Sequence, residues 1–594
     1  MIDFSLSRRK AFIILLAVAC ITLLPFLGLT DFNTKGEPRE AVVAFSILEQ
    51  NNWILPSNNG GEIPYKPPFF HWLIALAGLL NGGVVNEYVS RLPSALALIG
   101  MCLGVFAFFS RRKQTGIALL TAVVTLTSFE LYRAGMNCRV DMLLTALSVG
   151  AMILLYRWWE KGMKNLPWIA ILMMSAATLT KGPVGIIIPC LATGIFMLLR
   201  GARFFPVFLK LGISAVLALI IPLAWYAAAY NRGGETFLKL VIEENFGRMT
   251  GTMTYESHVN PWYYNILTLL AGFLPWTIAA VTALFLVKWK NISFPLNKFK
   301  SQTWAKLMVR VRNTDPTTLF SLVCALTVFL FYCIPASKRS VYLMPMYPFT
   351  AYFMALLLVW MTKHKRATIR GLGDGIACVG ILLFIALFLI RTGIITDSIF
   401  GHGRHAAQNS AMLHSLASAP ALRTWFCALI PVATAIGWWA KIRNKYTGIY
   451  LPLSTGALVV SLYIAYGGAY QPAVLNAKSM KPMAAEILNT YPDAKNGIYE
   501  YIRIAEEATG NPVHYFELDF YMGDPVCNFK RERPDAGYLL IGEDDSESCL
   551  PLFEKEGYRF ELLRSREPSQ PRHTPSLYRF QKEKREKFKK NLEK

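Results

Sequence analysis

The sequence predicts a mainly helical polytopic membrane protein of about thirteen spans, with a small α/β domain outside the membrane at its C-terminal end. Three observations predict it. Apolar residues make up 54% of the 594 positions and charged residues only 17%. The apolar residues gather into repeated stretches of roughly 18 to 22 residues, the length that crosses a hydrocarbon layer as a helix. Clusters of Lys and Arg then recur between the stretches so that every loop acquires a side.

The N-terminal MIDFSLSRRK precedes an apolar run as in a signal peptide, but no small-residue cleavage site follows. It reads as a retained first helix with its N-terminus inside. The spans are expected at 11–29, 92–110, 115–131, 141–157, 167–180, 183–199, 207–229, 263–287, 317–335, 341–361, 372–391, 424–440 and 447–468. One apolar stretch, 69–81, is left out. If it crossed, Arg111–Lys113 and every later basic cluster would fall outside. If it lies along the outer surface, Arg8–Lys10, Arg111–Lys113, Arg157–Lys164, Arg200–Lys210, 288–312, Lys363–Arg370 and Lys441–Lys445 all fall inside, as the positive-inside rule requires. The stretch is also short, and Pro67-Pro68 suits the start of an interfacial helix.

Two segments are therefore expected outside. Residues 30–90 form one large loop within a membrane domain of 1–469, and 470–594 form the small domain, with β-like runs GIYEYIRI, AGYLLIG and YRFELLRS among helical patterns. Its end, FQKEKREKFKKNLEK, is a basic tail, read as a solvated end before a patch for anionic headgroups. The net charge of +23 follows from basic cytoplasmic loops and calls for no nucleic-acid partner. The ten cysteines form no CxxC pair. Only Cys527 and Cys549 are candidates for a disulfide, provided the domain faces an oxidising compartment.

Ionisable residues at the outer ends of spans are costly unless they serve a site. The outer loops offer Glu37, Arg39, Glu40 and Lys66, then Arg133, Arg139 and Asp141, Lys181 in TLTKGPVG, Glu243, Glu244, Arg248 and His258, and Lys338 and Arg339 in IPASKRSVYLMPMYP. A few carboxylates among several cations on one face suit transfer from a lipid-linked phosphate. Carboxylates take a proton from a hydroxyl, and Lys and Arg stabilise the oxygens of a leaving phosphate. GxGxxG, P-loop and HExxH patterns are absent, so nucleotide and zinc-protease readings lack support. His402 and His405 of GHGRH sit in a polar loop, and NNGGE at 58–62 reads as a turn.

GEPREAVVAFSILEQNNWILP, IPYKPPFFHWL, CRVDM, TLTKGPVG, ENFGR, NPWYYNILTLLAGFLPWT and SKRSVYLMPMYP occur in that order over roughly the first 350 residues. Together they resemble the aminoarabinose transferases of lipid A modification, within the protein O-mannosyltransferase-like glycosyltransferases of the C-type membrane fold. The resemblance implies an inverting, polyprenyl-phosphate-sugar-dependent glycosyltransferase of the bacterial inner membrane, its active site facing the periplasm. The acceptor is then a lipid A-like glycolipid or, alternatively, a protein. The family's catalytic Asp falls on Gly36, so Glu37, Asp31, Glu40 or Asp141 takes its place, with Glu37 and Asp141 preferred. Lys66, Arg248, Lys338 and Arg339 match phosphate-binding positions. Arg39, Tyr65, His258, Tyr263 and Tyr342 match acceptor or accessory positions. The family's metal-binding Glu is replaced by Tyr65, which leaves a divalent metal to His258 without that partner. A flippase is the reading from another class, and it predicts internal repeats and broken helices near the midplane.

Overall fold

The computed structural model describes residues 6–64, 66–244, 259–286, 308–403, 405–502 and 514–583. Tyr65, Arg248 and His258 lie outside the described residues, as does the basic tail beyond residue 583.

Among the described residues nine helices are long and apolar enough to cross a membrane, or eleven if each of two bent pairs counts as one span. The remaining two expected spans coincide with the shorter helices Trp168–Lys181 and Val184–Leu199. At 1.5 Å per residue these rise roughly 21 and 24 Å, short of the ~30 Å hydrocarbon layer. The helix Phe69–Leu80 has only 12 residues and leaves Leu76, Leu79 and Leu80 exposed beside Val84, an apolar edge suited to lie on a membrane.

Two of the expected spans, 115–131 and 263–287, each contain a break. One separates Thr115–Thr127 from Phe129–Gly135 at 65°, the other Tyr264–Gly272 from Trp276–Leu286 at 109°. The two are stitched together: the N–H of Phe129 donates to the carbonyl of Leu274 at 3.1 Å, and the indole of Trp276 donates to Thr127 Oγ1 at 3.0 Å. Backbone groups freed by a break inside an apolar layer need such partners. The helix Phe204–Ile242 also outruns its expected span, with non-helical backbone at Gly234. Its outer end reaches the large loop, where Trp225 donates to the carbonyl of Ile54 at 3.1 Å.

At the other end of the bundle the basic clusters tie helix ends together. Arg112 pairs with Glu160, and Lys113 meets Asp315 at 2.7 Å. Arg370 and Arg443 close the ends of two later helices, Arg370 onto the Arg443 carbonyl at 2.9 Å and Arg443 onto Asp374 at 2.9 Å.

The C-terminal domain holds a five-stranded mixed sheet of order β2-β1-β3-β5-β4, from β1 (Ile498–Glu500), β2 (Val526–Asn528), β3 (Ala536–Ile541), β4 (Tyr558–Arg564) and β5 (Ser576–Lys582). The parallel contacts β1–β2 and β1–β3 require the intervening helix Phe516–Met522, whereas β3–β5 and β4–β5 are antiparallel. The three β-like runs of the sequence contain β1, β3 and β4. The strand β2 is three residues long, too short for a periodic signal. Phe580, Gln581 and Lys582, read above as the start of a basic tail, instead complete β5, where Phe580 packs in the core with Phe529 and Tyr558. Cys527 and Cys549 are both free thiols. Cys549 faces the Tyr501 hydroxyl at 3.0 Å, while Cys527 packs against Gly60 of the external loop.

This domain sits directly on the external loop. Phe32 packs edge-on to Phe520 at 5.0 Å, and its N–H donates to the Tyr521 hydroxyl at 2.8 Å. Lys481 bridges Asp31 at 3.1 Å and Glu87 at 2.8 Å.

Candidate active site

The helix Gly36–Glu49 places the first acids. Nine of its 14 residues are buried, Glu37, Glu40, Ala41, Ala44 and Ile47 among them, so the helix is enclosed on most of its surface. It packs on Phe70, Ile74 and Ala75 of Phe69–Leu80 and on Cys138 and Val140. The first turn of Val140–Glu160 therefore comes to the same place and carries Asp141.

Glu37 is wholly engaged. Arg91 donates to its two oxygens at 2.8 and 3.0 Å, and the N–H of Cys138 adds a third bond at 2.8 Å. Arg91 is itself anchored on the Leu27 carbonyl at 2.8 Å. A bidentate arginine pair shielded from water holds its carboxylate firmly, and Glu37 is only 4% exposed. Removing one partner of such a pair leaves an uncompensated buried charge at a cost of about 3–5 kcal/mol. Glu37→Gln is accordingly expected to lower the thermal midpoint of the purified protein, and Glu37→Gln/Arg91→Met to recover part of the loss. Unchanged melting of the single variant would contradict this role.

Gly36 stands where the family pattern has its acid. A Cβ there would overlap the guanidinium of Arg139. The space an acidic side chain would enter is thus already filled from the strand-like residue that precedes Val140–Glu160.

Glu40 lies about one turn on and meets a different set of partners. Lys66 contacts its Oε1, Arg39 approaches the same oxygen at 3.3 Å, and His71 Nε2 lies 2.9 Å from Oε2. Burial pushes this carboxyl up, but Lys66, His71 and Arg39 outweigh it and hold it well below the usual carboxylate range. Burial pulls the Lys66 ammonium down to about 7 against the attraction of Glu40. Lys66 thus titrates near neutrality, and a nearby phosphate would draw it back to the charged form.

Asp141 pairs with Lys181. Lys181 ends the helix Trp168–Lys181, and Gly182 at φ 82° turns the chain away immediately after it, so TLTKGPVG presents its lysine at a helix end. The ammonium lies 4.6 Å over the ring of Tyr342, which stacks on Tyr332 at 5.2 Å. Arg339 and Lys66 also act electrostatically on the Asp141 carboxylate. The two pairs, Glu40–Lys66 and Asp141–Lys181, therefore belong to one charged cluster.

The other expected residues divide. Lys338 is 7% exposed, and its ammonium donates to the carbonyls of Pro335 at 2.9 Å and Ala336 at 3.4 Å, so its charge serves its own loop. Tyr263 is 48% exposed at the start of Tyr264–Gly272, with its ring against Trp262. Asp31 is bound to Lys481. His71 and Arg91 were not singled out in the sequence; the only signal for His71 is its place in KPPFFHW, one helical turn after Lys66 and the prolines.

A cavity of about 340 Å³ opens beside Glu40 and Lys66. Arg39, Glu40, Lys66 and His71 form one wall, Glu62 and Ile63 another, and His514, Phe516 and Arg531 of the C-terminal domain a third. Among the described residues no group of three or more His, Cys, Asp or Glu side chains is placed to hold a metal ion. The chemistry of the cluster is that of an anion held against cations next to carboxylates able to take a proton.

Residues 65–226 match the dolichyl-phosphate-mannose-protein mannosyltransferase family. Over 376 residues, 62% of this chain, the sequence is 25% identical to the undecaprenyl phosphate-alpha-4-amino-4-deoxy-L-arabinose arabinosyl transferase of Shewanella sediminis. Over 57% of the chain it is 28% identical to an uncharacterised protein of Aquifex aeolicus. Each match spans 63% of the relative's length. The structure superposes on ArnT from Cupriavidus metallidurans bound to undecaprenyl phosphate with a TM-score of 0.67 at 17% identity, covering 96% of this chain and 97% of that one. The shared fold therefore runs through the C-terminal domain, beyond the reach of the sequence match.

Proposed function

We propose that this chain, which has the fold of ArnT and resembles the aminoarabinose transferases, moves a sugar from a polyprenyl-phosphate carrier to an envelope acceptor at the outer face of the bacterial inner membrane. A lipid A-like glycolipid is the preferred acceptor, because the curated relatives with a stated activity are aminoarabinosyl transferases. The observation that carries the reading is the joining of Lys66–Glu40 and Asp141–Lys181 in one cluster at the end of the bundle where the external loop and C-terminal domain meet. The match to a protein mannosyltransferase family favours a protein hydroxyl as the second acceptor. The two helix breaks revive one mark of a carrier. Here, however, the second segment of the first pair leads within a few residues to Asp141, so that break lies toward the outer face and serves the site.

In the proposed reaction the carrier enters from the membrane and its phosphate meets Lys66, with Lys181 and Arg339 next to it. The phosphate competes with Asp141 for Lys181 and so frees the carboxylate. An acceptor oxygen attacks the anomeric carbon as the bond to the carrier phosphate breaks, a single displacement that inverts the centre. The electron pair of the broken bond goes to the phosphate, held by the lysines. The proton of an acceptor hydroxyl goes to Asp141; an acceptor phosphate has none to give. Glu40 keeps Lys66 aimed, and Glu37 holds the helix that carries Glu40. The distribution of these roles puts Asp141 at the reacting atoms and Glu37 in support of them.

A pH dependence follows with a definite sign. Lys66 grips phosphate only when protonated, and its pKa lies near 7. Affinity for undecaprenyl phosphate is therefore expected to be greatest between about pH 6 and 7, where the phosphate, with a second pKa of about 6, is ionised and Lys66 still protonated, and to fall from about pH 7 to 9. Lys66→Arg should flatten that fall. Titration of carrier binding to the purified protein checks both, and binding that strengthens from about pH 7 to 9, or is absent throughout, counts against the proposal.

A further inference from the structure

One buried charged group is not used by this mechanism, and it belongs to the C-terminal domain. His514 is 2% exposed. Its Nδ1 is hydrogen-bonded to Glu500 at the end of β1, and its Nε2 lies 2.8 Å from Glu62 of the external loop. Glu500 is fixed in turn by the N–H of Tyr515 at 2.9 Å. An imidazole between two carboxylates serves both only by donating from both nitrogens, which is the imidazolium form. Burial works against that charge, but Glu500 and Glu62 outweigh it and raise the group to about 10.

The link to Glu62 crosses from one domain to the other, and it is one of three that grip the same turn. The N–H of Asn59 donates to Asp524 Oδ1 at 2.8 Å, and Ser46 donates to the other oxygen of Asp524 at 2.8 Å. Arg531 donates to the carbonyl of Gly60. Gly60 has φ 71°, and a Cβ there would stand 2.9 Å from the Cys527 sulfur, so only glycine fits this contact. The turn is closed by the backbone pairing of Asn58 with Glu62. Ile63 and Pro64 follow with no regular secondary structure, and Lys66 comes four residues after Glu62.

We infer that His514 is a positioning residue: by clamping Glu62 it fixes the turn 58–62 and thereby the place where Lys66 meets the carrier phosphate, making the C-terminal domain a working part of the site. The inference rests on the role of Lys66 proposed above. Glu500 alone would satisfy one nitrogen within the domain; the bond to Glu62 adds nothing to the domain's own sheet and everything to the loop.

The test uses the full-length protein in detergent and undecaprenyl phosphate as probe, with His514→Gln, Lys66→Ala and the double variant. His514→Gln is expected to weaken binding about tenfold, and the double variant to bind no more weakly than Lys66→Ala, because residues that act through one another are not additive. Amide exchange in 56–66 should rise about tenfold or more in His514→Gln while that of β3 stays unchanged. Multiplying losses in the double variant, or wild-type exchange in 56–66, would overturn the inference. Should His514→Gln fail to fold, Glu62→Gln cuts the same link from the loop; it must show the same exchange and binding, and wild-type behaviour there overturns the clamp. If Lys66→Ala binds carrier like wild type, the phosphate role of Lys66 fails, and exchange in His514→Gln still decides the clamp: faster supports it, unchanged overturns it.

Discussion

Lys66→Ala is expected to lower sugar transfer by about a hundredfold or more, the usual loss when a cation that stabilises a leaving group is removed. The effect should be large because neighbouring cations among the described residues have partners of their own. Lys338 is turned onto its own loop's carbonyls, Lys181 is shared with Asp141, and Arg39 approaches Glu40 on the oxygen that Lys66 also contacts. Carrier affinity should fall as well, since Lys66 meets the phosphate in the ground state, while the loss in rate reflects the stronger contact as charge builds on the leaving phosphate. The fold should survive, because Glu40 keeps Arg39 and His71. Lys66→Arg is expected to retain part of the activity, its planar head suiting phosphate but not the geometry built for an ammonium. Assay of transfer and of undecaprenyl phosphate binding on the same preparations checks the pair. Full activity in Lys66→Ala would remove the residue from the site.

Asp141→Asn is the second large effect, with an opposite signature in binding. With a hydroxyl acceptor, loss of the base should reduce kcat about a hundredfold. Carrier affinity should hold or increase, because Lys181 no longer has a carboxylate competing with the phosphate. The two variants are thus distinguished by the sign of the change in affinity, whatever their rates. A fall in affinity without a fall in kcat would make Asp141 a mere brace for Lys181. The contrast with Glu37 is also testable on the same samples: Asp141→Asn should melt near wild type, while Glu37→Gln should not, since Arg91 depends on both Glu37 oxygens.

Much of this was legible in the sequence, for reasons that can be named. Long apolar runs and the sides of basic clusters report the membrane directly, and the short helix Phe69–Leu80 is marked by its length and its prolines. Lys66, Asp141 and Lys181 stood out because charge at the outer end of a span is costly. Partners were not legible. Glu37 looks like a catalytic acid until Arg91, 54 residues away, is seen to hold both its oxygens. Lys338 looks like a phosphate ligand until its side chain is seen to fold back. The helix breaks at Ser128 and Phe273–Pro275 carry weak local signals, since what permits them is each other, through Phe129 and Leu274. NNGGE is legible as a turn, but what holds it, His514, Asp524 and Arg531, lies more than 450 residues further along. Three-residue strands such as β2 leave no period to detect, and β5 was masked by the charge that follows it.

Sequence and fold agree on a polytopic membrane protein with the fold of ArnT, and the acceptor is where the proposed function is most exposed. The most direct test is mass spectrometry of envelope glycolipids from a strain lacking this gene, carrying either wild type or Lys66→Ala. The account predicts a sugar-sized mass on lipid A that is lost in the deletion, restored by wild type and absent with Lys66→Ala. Identical lipid A in all three strains would contradict it.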